Sequence, residues 1–231
     1  MSQSNLTHRC GPRCITESRV AVPMGIQPEI VVDLDRGKIP LWARSTTLNW
    51  RFDEASFERY GNSESMKRKV SRLFRDAVDA WGAAAPVTFQ ESRKAWDFDI
   101  SIRKRKDCSD DGCTLASAFF PAPERQHVLL YPSMFEYDRS EQLSTMVHEL
   151  GHVFGLRHFF ADTDAEEKKL PSLVFGRHSR FTIMNYGSDS QLTAADREDL
   201  RRLYKAAWSA DPAAEIGKSV RLVEAPHVPR T

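Results

Sequence analysis

Three histidines, at positions 148, 152 and 158, constrain this chain more than any other feature. In HELGHVFGLRH the first two lie four residues apart, so a helix places both on one face, one turn apart. Gly155 can end that helix by taking a positive φ that other residues resist. The chain then turns back, and His158 can approach the other two. Three neutral imidazoles on one Zn²⁺ leave a fourth position for water, the arrangement of a catalytic rather than a closed structural site. Glu149 projects beside such an ion, not onto it, as suits a general base that takes a proton from the bound water. Zinc brings the pKa of that water to about 7. The hydroxide can then attack a peptide carbonyl, and Glu149 can hand the proton to the leaving amine. The competing reading is a core helix with satisfied histidines. It is the weaker one, because ionisable groups on an otherwise apolar helix are costly to bury without a partner. At about one chance in ten per position, five fixed positions match a given start only about once in 10⁵.

The rest of the chain supplies a frame for that helix. TTLNWRF, from Thr46, is rich in β-branched and aromatic residues and reads as a strand. In the next segment Val70, Leu73, Phe74, Ala77, Val78 and Trp81 fall on one helix face, with Gly82 as an αL stop and Pro86 forbidding continuation. VTFQES and DFDISIRKR read as strands, and in the second Phe98, Ile100 and Ile102 alternate with polar residues. KDCSDDGC is a turn-rich loop, followed by two short strands in TLASAFFP and HVLLYP. Helical patterning returns from Ser140 to Leu156 and again in LTAADREDLRRLY, where Thr193 and Asp196 are placed for a capping box. Strands with helices before and after them suggest an α/β or α+β layered domain, with an amphipathic helix, the histidine helix and a C-terminal helix. Residues 1–40 read as an irregular arm or pro-like segment, 41–207 as the folded unit and 208–231 as a loosely held tail. Residues 159–181 form a long connection, of a length that is usually functional or mobile.

Composition excludes several classes. The 231 residues carry 33 basic and 32 acidic side chains, net charge +1, which gives no reason to expect nucleic acid or an anionic membrane as partner. No stretch approaches the roughly 20 apolar residues of a membrane helix, and MSQSNLTHRCGPRC lacks an apolar leader core. On that basis the chain reads as intracellular, non-classically secreted or shown without its leader, with Met1 against the last, and the compartment stays open; a monomer is expected. Four cysteines, Cys10, Cys14, Cys108 and Cys113, allow three pairings that sequence does not choose among.

HELGHVFGLRH matches the HExxHxxGxxH motif of the metzincin metallopeptidases, and TIMNYG, Thr182–Gly187, resembles their methionine turn with Met184 as its methionine. Segments 42–52, AVDAW, VTFQES and LASAFFP resemble parts of matrixin catalytic domains, so the resemblance runs over roughly residues 41–207. It implies a metzincin-like fold, α+β (α/β layered) with a mixed twisted sheet, together with one catalytic zinc and a peptide or protein substrate. It also implies an edge strand at Ala116, Ser117, Ala118 and Phe119 that pairs with extended substrate, with Val147 and the residues around Ile183 walling a pocket. Met-Asn-Tyr is instead similar to astacins and serralysins, and by that resemblance Tyr186 would hydrogen-bond the oxyanion. The combination is similar to metzincin-like peptidases of fungi and bacteria. In place of the matrixin histidine-rich loop stands RKRKDCSDDGC, with Ser117 where a ligand histidine is expected. A Cys108–Cys113 link could brace that loop instead. Asp107, Asp110 and Asp111 could hold Ca²⁺, though a solvated acidic turn is the default.

Other motifs carry less. HRCGPRC faintly resembles the matrixin latency motif but lacks its full pattern, and a flexible arm or a local disulfide is the plainer reading. RKRK at 103–106 reads as a solvated strand end, and His127 and His178 as ordinary surface or core histidines. Two other functions remain open: a non-catalytic binding module stabilised by zinc, and a zinc hydrolase of small amides.

Overall fold

The computed structural model describes residues 7–10, 14–17, 30–109, 112–159, 172–175, 181–185 and 190–227. The segment expected to be an irregular arm carries strands. β1 (Thr7–Cys10) and β2 (Cys14–Glu17) form an antiparallel hairpin, with Cys10 and Cys14 as backbone partners. β3 (Ile30–Asp33) and β4 (Ile39–Trp42) follow. Val32 and Ile39 are fully buried, so packing reaches back beyond Leu41.

In β5 (Thr47–Phe52) Leu48, Trp50 and Phe52 enter the core, and the intervening residues stay half-exposed, as the alternation requires. One turn, α1 (Glu54–Phe57), leads to α2 (Ser63–Trp81). The Asn62 side chain caps α2 by accepting from the Ser65 amide at 2.9 Å. Val70, Leu73, Phe74, Ala77 and Trp81 are buried as the spacing predicts, while Val78, at the margin of that face, is half-buried. Gly82 does end the helix with a positive φ of 54°, but its ψ of −133° is not αL. The chain there enters a 3₁₀ turn, Gly82–Ala84, instead of closing an αL cap.

β6 (Thr88–Glu91) and β7 (Phe98–Ile102) lie where VTFQES and DFDISIRKR place them. β8 (Asp107–Ser109) and β9 (Gly112–Thr114) form a hairpin in which Cys108 and Cys113 are partners and are joined by a disulfide. β10 is only Ala116–Ser117, shorter than the strand expected from TLASAFFP, because two aromatic residues and Pro121 follow. β11 (Gln126–Leu130) completes a five-stranded sheet of order β10-β11-β7-β5-β6. Its pairs are parallel except β10 with β11. The core-facing side is aromatic, with Phe74 of α2 against Trp50, Phe89 and Phe98.

α3 (Arg139–Val153) starts at Asp138, whose carboxylate accepts from the Ser140 and Glu141 amides. It packs against α2. β12 (Leu156–Arg157) and β13 (Ser172–Phe175) flank β3 in a separate sheet of order β12-β3-β13. The long 159–181 connection thus contributes a strand that holds the N-terminal one. α4 (Ala194–Ala207) opens with the expected capping box of Thr193 and Asp196.

The tail is not loose. α5 (Pro212–Ile216) and β14 (Val220–Val223) follow α4, and β14 pairs in parallel with β4. Val223 and Ala225 are buried. His227 donates its amide and Nδ1 to the two carboxylate oxygens of Asp97, each at 2.7 Å. The valines and the unpaired edge of β4 explain why a segment without obvious amphipathic pattern is held. The architecture is α+β with a mixed sheet. Among the described residues no helix is long and apolar enough to cross a membrane.

Candidate metal centre

α3 delivers His148, Glu149 and His152 from its last two turns, and the chain reverses directly after it. Phe154 caps the helix, and Gly155 takes φ +91°, the left-handed conformation expected of it. A side chain at Gly155 would also stand 3.0 Å from Leu41. The reversal sends β12 back along β3 and sets His158 beside the other two histidines. The ligand nitrogens of His148, His152 and His158 all lie within 4.8 Å of one another, and all three residues are buried.

Backbone carbonyls fix the rings. His148 Nδ1 donates to Ile183 O and His152 Nδ1 donates to Leu156 O, both at 2.6 Å. This leaves each Nε2 without a proton in the neutral ring, and the two Nε2 atoms stand 3.0 Å apart. Burial pushes both imidazoles well below the usual histidine range. The charge of His158 adds to this at His148, and those of His148 and His158 add to it at His152. Two lone pairs facing each other in a buried site repel unless a cation lies between them. Nitrogens on one tetrahedral zinc, with bonds of about 2.0–2.1 Å, stand about 3.3 Å apart, close to what is observed. The donor set therefore fits zinc: neutral, converging and buttressed from behind.

The floor of the site is the 181–185 segment. Met184 is buried beneath α3, and a Cβ added at Gly151 would lie 2.4 Å from its sulfur. The close approach of the methionine favours glycine at this position of the histidine motif, since a methyl there would displace the Met184 side chain. Phe159 N donates to Met184 O at 3.0 Å, which ties the end of the third-histidine segment to this floor. The turn is in turn anchored to α4: the Thr182 hydroxyl donates to Asp196, and the Ile183 amide donates to it at 3.4 Å. Burial pushes the Asp196 carboxyl up, against hydrogen bonds from Thr182 and Thr193 that pull it down.

The far end of α3 is held by aromatic donors. Trp81 Nε1 donates to Val147 O at 2.9 Å, Trp42 Nε1 to Val153 O at 2.7 Å, and the Tyr204 hydroxyl to Phe154 O at 3.0 Å. Trp81 reads from sequence as plain core, and it also donates to an interior carbonyl of α3. Trp42 and Tyr204 satisfy carbonyls at the end of the helix that carries the histidines.

Glu149 is buried in the same turn as His148. Val147 and Ile183 are buried too. Ala116, Ser117, Ala118 and Phe119 are all buried, with the first two forming β10 at one edge of the five-stranded sheet. The backbone of β2 runs close to β10, β9 and α3, so the N-terminal hairpin lies near this edge. Tyr186, Asp110, Asp111 and His178 lie outside the described residues, as do the side chains of Cys10 and Cys14. Asp107 accepts from the Thr114 hydroxyl at 3.0 Å. His127 is exposed on the outer face of the sheet, 3.8 Å from Asp99. Among the described residues, the three histidines are the one cluster with metal-ligand convergence.

Two residues of this region escape a sequence reading. Arg157, between the second and third histidines, is fully buried, and its charge also lowers the His152 pKa. No sequence signal marks it, since arginine is ordinarily exposed. Phe120 packs edge-on against the His152 ring at 5.5 Å between centroids. Its place in FFP after the edge strand was the only hint.

Known proteins bear on this arrangement. The rat (Rattus norvegicus) macrophage metalloelastase is 31% identical over 121 residues, covering 47% of this chain and 26% of its own. The chain thus spans about a quarter of the length of that relative. The matrixin family model matches residues 41–165, a stretch that takes in all three histidines and Glu149 and ends before Met184. That match covers more than half of the sequence, and the chain belongs to the matrixin family.

Proposed function

We propose that the chain is a zinc-dependent endopeptidase whose catalytic unit spans residues 41–207. The observation that carries this reading is the converging trio of buried imidazoles, two of them, His148 and His152, with Nδ1 pinned by a carbonyl, next to a buried glutamate. Membership of the matrixin family and the name of the rat relative, a metalloelastase, support it.

In this mechanism His148, His152 and His158 hold one Zn²⁺, which supplies Lewis acidity and a water of lowered pKa when bound. Glu149 takes the proton from the attacking water and returns it to the leaving amine. Tyr186 donates a hydrogen bond to the developing oxyanion. Met184 supports the histidines from below. Ala116, Ser117, Ala118 and Phe119 bind the substrate as an added strand, and Val147 walls the adjoining pocket. The substrate is a peptide or protein. The enzyme acts as a monomer, with no nucleic acid or membrane partner.

The deciding experiment is metal analysis of the purified chain beside His152→Ala and Glu149→Gln. About one zinc per chain, lost in the first variant and retained by an inactive second, is the expected result. A zinc-loaded wild type without turnover, unaffected by Glu149→Gln, would leave a zinc-stabilised binding module, and full activity with Glu149→Gln would mean another chemistry. Hydrolysis of small amides without proteins would favour a closed-pocket hydrolase.

A further inference from the structure

A second feature of the molecule lies at the other edge of the main sheet. β6 stops at Glu91, opposite Trp50, while β5 runs on to Phe52. The step between them, walled by α2, is a groove of about 340 Å³ with Phe52 at its base. Lys67, Arg68, Arg72 and Arg75 of α2 line one side, and Arg93 closes the other. The α2 residues recur at three- and four-residue spacing, which puts them in one stripe along the helix. Glu64 and Glu91 are the carboxylates of the lining.

This is not an ordinary solvated helix face. The chain as a whole is nearly neutral, at +1, yet this groove gathers five cations against two carboxylates. Lys67 is committed to Glu54 and Glu64. Among the described residues, Arg68, Arg72, Arg75 and Arg93 make no ion pair within 4.0 Å, although Arg68 and Arg93 are near enough to Glu64 to help lower its pKa. Concentrating like charge in a concave site costs self-repulsion and focuses the field on whatever enters. The guanidinium fork matches carboxylates in a two-point fashion that ammonium does not.

We propose that this groove docks an acidic peptide segment, its carboxylates on Arg68, Arg72, Arg75 and Arg93 and an apolar side chain toward Phe52. Two features favour a peptide over a sulfated polysaccharide. Glu64 and Glu91 interrupt the cationic lining and repel a ligand of unbroken negative charge, whereas carboxylates spaced along a peptide avoid them. The apolar base gives a polysaccharide nothing to bury. β10 and β6 are opposite edges of a five-stranded sheet, so the groove stands about 19 Å across the sheet from β10 at the usual strand spacing. The inference does not depend on the zinc chemistry.

The test uses the full chain carrying Glu149→Gln, so that the probe is not cut, and fluorescence anisotropy of a short labelled peptide of glutamate and leucine. Saturable binding is expected that weakens as salt is raised. It should weaken by about tenfold or more when Arg72→Glu and Arg75→Glu are introduced together. These side chains are exposed, and an unchanged melting temperature would certify the variant's fold. A lysine–leucine probe should not bind. Equal affinity in the double variant would overturn the proposal. So would a heparin fragment that binds tightly where the glutamate–leucine peptide does not.

Discussion

Helices α2 and α3 pack against each other, yet they use burial in opposite ways. α2 hides one stripe, Val70, Leu73, Phe74, Ala77 and Trp81, and gives its other faces to charges. α3 is buried nearly all round in its C-terminal half, and the buried set includes Gln142, Thr145, His148, Glu149 and His152. The first pattern is what hydrophobic burial alone produces. The second carries a desolvation cost that no packing energy explains, and the cost is met by named partners: Ile183 O and Leu156 O for the imidazoles, and tryptophan and tyrosine donors for the helix carbonyls. The less amphipathic helix is therefore the one that carries the buried ionisable groups.

The contrast can be tested by damaging each helix in turn. The largest effect should come from α3. On the proposed mechanism Glu149→Gln should lower kcat for a peptide substrate by about 10²- to 10⁴-fold with zinc content and melting temperature intact, because only proton transfer would be lost. Next is α2, where Trp81→Ala should cost about 3–5 kcal/mol in urea unfolding, since the indole is fully buried and its donor serves Val147 O. If Trp81→Ala left stability unchanged, the view of α2 as a packing helix would fail.

Acid should separate the helices as well. His148 and His152 have depressed pKa values in the fold, so below the unfolded-state value of about 6.5 the unfolded chain takes up protons that the folded chain refuses. Stability of the chelated protein should be flat above that pH. It should fall as pH drops from there toward the folded-state values, by about 1.4 kcal/mol per unit for each histidine. Phenylalanine at position 148, introduced as His148→Phe, should roughly halve the slope in calorimetry or urea titration.

Smaller effects probe the contacts at each helix. Gly151→Ala should cost about 1–3 kcal/mol, because the new methyl meets the Met184 sulfur. Combining it with Met184→Ala should give less than the sum of the two, which a double-mutant cycle would detect. Asn62→Ala removes the α2 cap and should cost about 1 kcal/mol in thermal unfolding, with no change in zinc content.

The same contrast explains what was legible in the sequence. The buried stripe of α2 could be read because it is local and Gly82 stops it, whereas the Asn62 cap was not read. Val78 lies half-buried at the margin of the stripe, and the conformation of Gly82 differed, since sequence gives the sign of φ but not ψ. The histidine cluster was legible because ligand spacing and Gly155 are also local signals. Arg157 was not, for its burial depends on β3 and β12 meeting from distant parts of the chain. Asp196 was legible as a cap, but its grip on Thr182 and Ile183 is tertiary. The Cys108–Cys113 bridge follows from strand register in the β8–β9 hairpin, which a spacing of cysteines alone does not specify. The tail was misjudged for the same reason: β14 owes its order to β4, far away in sequence.

That last pairing bears on how the protein is made. β4 emerges from the ribosome well before its parallel neighbour β14, which is translated after the three clustered histidines and after α4. A parallel strand pair with so long a crossover closes late, because the intervening loop entropy must be overcome first. The nascent chain therefore carries an open β4 edge until β14 has been made, a stretch of exposed backbone that cellular chaperones or neighbouring chains can reach. Only the arrival of β14 removes that vulnerability.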